Sequence, residues 1–208
     1  MNWHRFVELL VCLSPAMVGL IAFLPYWTDI YKGKTRPSQA RWWTWTMLTV
    51  ISTVGKYRAG ADWQVIVLPA MLCLAQVTTA VWSVTRGDND WGWFNSICVV
   101  LAILAAVLIW RYTNDPKLVL TLGIVGDGLG FIPTLRHIKA KPQEENYLAW
   151  KLGWISALLE LFIVTKWNFA NAAWPIYYFV AMTITISMLW WYLRQQIRHL
   201  NRSFPETE

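Results

Sequence analysis

The sequence predicts an all-α membrane protein of seven transmembrane helices, arranged as two parallel three-helix repeats joined by a linker helix (3+1+3). Three observations carry this expectation. Hydrophobic residues make up 56% of the 208 and charged residues only 14%, a balance suited to lipid rather than to a solvated surface. Seven segments hold the roughly 20 residues that cross a bilayer. Two of them, the first and the fifth, end alike: Phe23-Leu24-Pro25 with Ile30 in one, and Phe131-Ile132-Pro133 with Ile138 in the other, at an offset of 108 (25 and 133). Paired, proline-broken helices are a mark of transporters built from repeats.

The first span covers 6–31. Its apolar run is long, no A-x-A cleavage pattern follows it, and its end recurs later in the chain, so it reads as a retained helix rather than a cleaved signal. Spans at 40–59 and 62–85 complete the first three-helix repeat (6–85). A span at 94–113 then inverts the chain direction, because two copies with the same orientation need one helix between them. Spans at 116–139, 146–166 and 172–195 form the second repeat (116–195), and 196–208 is a tail. The connecting loops are short, leaving room only for a single membrane domain over 1–208. Continued through the loops at an offset of 105, Trp45 falls on Trp150.

Lys and Arg are divided unevenly between the two sides of this arrangement. Of eighteen, twelve lie on the side of Lys32, Lys34, Arg36, Arg136, Lys139 and Lys141, which places that side in the cytoplasm and the amino terminus outside. The expected location is a bacterial inner or plasma membrane. The formal net charge of +6 is then a topology signal met by anionic lipid headgroups, and no nucleic-acid partner is expected. Sixteen tryptophans hold mean hydropathy to +0.36, since indole belongs at the water-lipid interface. Cys12, Cys73 and Cys98 lie in apolar segments with no disulfide or metal-ligand spacing.

The residues Pro25, Ile30, Lys34-Thr35 and Ser38 in the first copy, with Pro133, Ile138 and Lys141 in the second, give the chain a resemblance to the PQ-loop and SWEET superfamily of membrane transporters. As architecture the resemblance covers the whole length. The naming dipeptide is absent: Tyr26 and Thr134 follow the two helix prolines, and Pro142-Gln143 sits beyond the helix. The spans at 40–59 and 146–166 also lack the interior prolines usual in the sugar-transporting members. The resemblance implies a carrier for a small solute, sugar-like or another small polar metabolite, with a path lined by the first, second, fifth and sixth spans. The alternative is a membrane receptor or scaffold on the same seven-helix fold that moves no solute.

Proline lacks an N–H and clashes with the carbonyl four residues back, so Pro25 and Pro133 free the carbonyls of Ile21 and Leu129. They are candidate hinges of a gate; the alternative is a fixed kink. Four residues on stand Asp29 and His137, a candidate latch at the inner mouth, or else two solvated headgroup residues. Lys56 and Glu160 fall within one position of repeat equivalence and are candidates for an ion pair across the outer mouth.

Asp127 lies mid-span among Gly123, Gly126, Gly128 and Gly130. A carboxylate at the bilayer centre costs about 3 kcal/mol or more, so it faces the protein interior, either to bind solute or couple protons, or to bond a neighbouring helix. Gly126 and Gly130 form a face for close helix approach. Most tryptophans form interfacial belts: 3, 63, 110, 167 and 174 on one side, and 27, 42, 43, 82, 91, 93, 190 and 191 on the other. Trp45, Trp150 and Trp154 lie deeper and are candidates to stack on a solute, with Thr49 and Gln76 adding hydrogen-bonding groups.

His4, His137 and His199 all lie at or beyond span ends, which argues against a membrane zinc hydrolase or haem ligation. The last span has no lysine for a retinal Schiff base. The reading is therefore a non-enzyme with no metal and no cofactor, whose partners are a small-molecule substrate and the lipid bilayer. Proton coupling and homo-oligomer formation are left open.

Overall fold

The computed structural model describes residues 3–89, 91–93, 97, 100 and 115–203, without the side chains of 4, 133 and 199–203. Six α-helices run through these residues: α1 (Trp3–Tyr31), α2 (Gln39–Arg58), α3 (Gln64–Arg86), α4 (Pro116–Ala140), α5 (Tyr147–Phe162) and α6 (Phe169–Ser203), with one 3-10 turn at Pro142–Glu144. The described residues hold no strand, only an isolated bridge between Ser38 and Asp88. The expected linker span 94–113 lies outside the described residues, apart from 97 and 100.

Local chemistry sets the helix starts. Ser38 accepts from the Arg41 N–H at 3.1 Å, Asp115 from Lys117 at 2.9 Å ahead of Pro116, and Asn146 from Ala149 at 2.9 Å. Such N-caps contribute about 1 kcal/mol each. A fourth cap, Asn168 accepting from the Asn171 N–H at 3.0 Å, starts α6 at Phe169 rather than at 172. Gly60, at φ 75°, supplies the left-handed residue that lets the chain turn between α2 and α3.

Four helices, α1, α3, α4 and α6, are long and apolar enough to cross a membrane; the other two do not support the expectation of seven spans. α5 has 16 residues, about 24 Å at 1.5 Å per residue, because it stops at Phe162 instead of 166. α2 has 20 residues but is less apolar, since its buried face carries Thr46, Thr49, Ser52 and Lys56.

Pro15, Pro69 and Pro175 also sit inside helices, and side chains take up the carbonyls that the first two free. Pro15 leaves the carbonyl of Val11, to which the Ser14 hydroxyl donates at 2.8 Å. Pro69 leaves that of Val65, to which the Lys56 ammonium donates. Both are the remedy expected where no water reaches the backbone.

The helices close into a ring in the order α1, α3, α2, α4, α6, α5 and back to α1. Within each triplet the third helix separates the first two, and the triplets meet along α1 against α5 and α2 against α4. Close approach at the second seam depends on glycine. A methyl on Gly55 would lie 3.1 Å from the Leu120 nitrogen, and one on Gly123 would overlap the Ser52 hydroxyl. Gly126 and Gly130 receive Leu48 and Trp45 of α2 on the same face. Gly123→Ala is therefore expected to cost about 1–3 kcal/mol through overpacking, read as a lower unfolding temperature in detergent and recovered by adding Ser52→Gly. A change below about 0.5 kcal/mol would show that α2 can move aside.

Candidate functional site

A cavity of about 120 Å³ lies inside the ring, with all six helices and the residues 145–146 in its wall. It runs from Gly19, Asp127 and Trp174 at mid-height to Arg41, Glu145 and Asn146 at the end that carries loops 32–38 and 141–146. The volume is comparable with cavities of roughly 150 Å³ that hold a benzene-sized guest.

Aromatic rings make up much of the wall. Tyr26 and Trp42 have centroids 5.3 Å apart, Trp42 and Trp45 meet edge to face at 5.4 Å, and Trp45 lies 5.6 Å from Phe131. Across the cavity Trp174 and Tyr178 are stacked at 6.1 Å. Three buried polar atoms of the lining residues, Trp45 Nε1, Trp174 Nε1 and Gln76 Oε1, have no hydrogen-bond partner among the described residues. An unpaired buried donor or acceptor costs about 1–3 kcal/mol. Asp127 is buried and accepts from the Tyr177 hydroxyl at 2.5 Å, a length typical of a charge-assisted bond.

At the far end, beyond the cavity, Lys56 and Glu160 form an ion pair of 3.3 Å with both side chains 0% exposed. The ammonium also donates to the Val65 carbonyl and lies 5.9 Å from the Trp174 ring centroid. A second layer covers this pair. Asp62 accepts from Thr165 at 3.2 Å, Lys166 at 3.4 Å and Asn171 at 3.2 Å, and its N–H donates to Asn171 Oδ1 at 2.7 Å. Loops 59–63 and 163–168 are thereby tied together.

At the basic end Arg41 and Glu145 pair at 3.6 Å, and the Trp150 indole donates to Glu145 at 2.9 Å. His137 lies 3.4 Å from Glu144 and 3.7 Å from Glu145, while Asn146 donates to Asp29 at 2.5 Å. Asp29 and His137 thus do not form the expected latch with each other: Asp29 accepts from Asn146, and His137 lies beside Glu144 and Glu145. In that segment Glu144 hydrogen-bonds Lys141 at 2.9 Å and raises the affinity of its amine for a proton.

Of the sequence-predicted substrate residues, Asp127, Trp45, Trp150, Thr49 and Gln76 line the cavity. Trp154 does not; its indole donates to Thr183 on α6 at 2.9 Å. Lys56 and Glu160 come together as expected. Pro25 lies within α1, and Pro133 within α4 with its side chain outside the described residues. Trp174 was expected in an interfacial belt and instead is 2% exposed at the cavity wall, because Pro175 and the Asn168 cap place it in the first buried turns of α6. Trp42 is likewise buried rather than interfacial. Trp110 lies outside the described residues. Sequence reasoning also missed Tyr26, Arg41, Glu145 and Tyr178; Arg41 and Glu145 carried a signal, as opposite charges just inside and just before the two cavity-lining helices α2 and α5.

No family model matches the chain, no curated protein matches it, and no solved structure matches its fold.

Proposed function

We propose that the chain is a small-solute membrane transporter of the PQ-loop and SWEET type, with a 3+1+3 arrangement in which α1–α3 and α4–α6 are parallel copies. The ring order supports this: exchanging α1 with α4, α2 with α5 and α3 with α6 leaves every major helix contact in place. Residue pairs support it as well. Ser156 donates to the Pro15 carbonyl at 2.8 Å, and its counterpart Ser52 faces Gly123, which is Pro15 advanced by 108. That contact sets the α2 to α5 offset at 104 (52 and 156), one less than expected, and makes Lys56 and Glu160 direct counterparts. In the third helices an offset of 106 pairs buried Leu68 with Trp174, Leu72 with Tyr178, Ala75 with Ala181 and Thr79 with Thr185. The matched threonines each donate to the matched alanine carbonyl at 2.8 Å.

The observation that carries the transport reading is the cavity enclosed by both triplets, with the buried Lys56–Glu160 pair beyond one end and the basic loops at the other. In the orientation set by the basic loops this is an inward-facing arrangement, and alternating access requires the Lys56–Glu160 and Asp62 layers to open while the Arg41–Glu145 end closes. Pro25 and Pro133, in the halves of α1 and α4 nearest the basic end, are the proposed hinges.

The test is to reconstitute the protein in liposomes, expose them to a mixture of small metabolites, and identify retained solutes by mass spectrometry against protein-free liposomes. Enrichment of at least one small solute is expected. Saturable binding without enrichment would replace the carrier with a receptor on the same fold.

A further inference from the structure

The charges at the cavity wall do not balance, and the imbalance defines the guest. Arg41 and Glu145 cancel at 3.6 Å. Beneath the floor Lys56 and Glu160 cancel at 3.3 Å. Among the described lining residues this leaves Asp127 as the one uncompensated charge, bonded only by the neutral Tyr177 hydroxyl within its side-chain contacts. An anion would meet Asp127 with no free cation to receive it.

We infer that the cavity takes a small organic monocation, an ammonium-bearing solute of about the size of benzene or choline. Aromatic faces and a carboxylate are the two groups that stabilise an ammonium in a dry site, and here Tyr26, Trp42, Trp45, Phe131, Trp174 and Tyr178 surround the same space as Asp127. Just outside the cavity, the Lys56 ammonium lies 5.9 Å from the Trp174 ring centroid. The inference rests on the carrier reading for transport, and on the cavity alone for binding.

Choline and its uncharged carbon isostere, dimethylbutanol, separate charge from shape. Titrated calorimetrically into the full-length protein in lipid nanodiscs, choline is expected to bind saturably and at least about tenfold more tightly than the isostere. Asp127→Asn is expected to erase that preference while leaving isostere binding unchanged; the comparison on the unmodified protein stands even if the variant does not fold. Equal binding of the two probes, no binding of either, or a preference that survives Asp127→Asn overturns the inference. The metabolite screen keeps the two proposals apart. A neutral solute retained in liposomes, with no choline binding, overturns the monocation and leaves the carrier; choline binding with no solute retained, choline included, overturns the carrier and leaves the site.

Discussion

Replacing Lys56 with methionine is expected to destabilise the protein by about 3–5 kcal/mol, the cost of leaving one member of a buried ion pair without its partner. For a chain of this size that lowers the unfolding temperature on the order of 10 °C in detergent or nanodiscs. The size follows from the surroundings. Glu160 is 0% exposed and its second oxygen, Oε2, has no hydrogen-bond partner among the described residues, so losing the ammonium leaves a carboxylate with nothing to offset its desolvation. The Val65 carbonyl, freed by Pro69, loses its donor in the same step. The double variant Lys56→Met with Glu160→Met removes both charges and is expected to recover most of the loss. It falls short of the parent by the cost of one orphaned carbonyl, about 1–3 kcal/mol, and adding Pro69→Ala returns an N–H to Val65. A single-variant loss below about 1 kcal/mol would show that the pair is solvated in the membrane.

Asp127→Ala is expected to reduce uptake of the solute found in the liposome screen by about 10- to 150-fold, the equivalent of the 1.5–3 kcal/mol carried by a hydrogen bond to a charged group. Tyr177→Phe separates solute contact from helix tethering. It keeps the carboxylate in the cavity and removes the 2.5 Å bond between α4 and α6. If Asp127 serves only to hold α6, both variants lower the unfolding temperature and uptake in parallel. If it receives the solute, Asp127→Ala suppresses uptake far more than Tyr177→Phe for a similar thermal shift. Uptake at the parent rate in Asp127→Ala would take the residue out of the path.

The helical class was legible because it rests on averages: long apolar runs with few charges give helices wherever no strand-forming alternation interrupts them. Asp127 was legible because a lone acid amid glycines in an apolar run can be held only inside the protein. The Lys56–Glu160 pair could be read from matching the two halves of the sequence, to within the one residue by which the offset of 105 taken from Trp45 and Trp150 departs from the 104 that separates 56 and 160. Trp174 was misplaced because an indole near a span end has the same sequence context in a lipid belt as in a buried wall; only the packing of α6 against the cavity distinguishes them. The partner of Lys56 at Val65 depends on a backbone carbonyl, which has no residue-type signature. Pro69, four residues on, is the sequence clue to that freed carbonyl, and Pro175 stands at the 106 offset from it. The start of α6 depended on Asn168, whose side chain caps the helix at Phe169.

On the proposed repeat, Lys56 and Glu160 are counterparts that meet where the two triplets join. In two identical subunits related by a two-fold axis the residue at such a position would face its own copy, and like charges there would repel. A pair of opposite charges at that place therefore requires two halves of different sequence, which a single chain supplies and a homodimer does not.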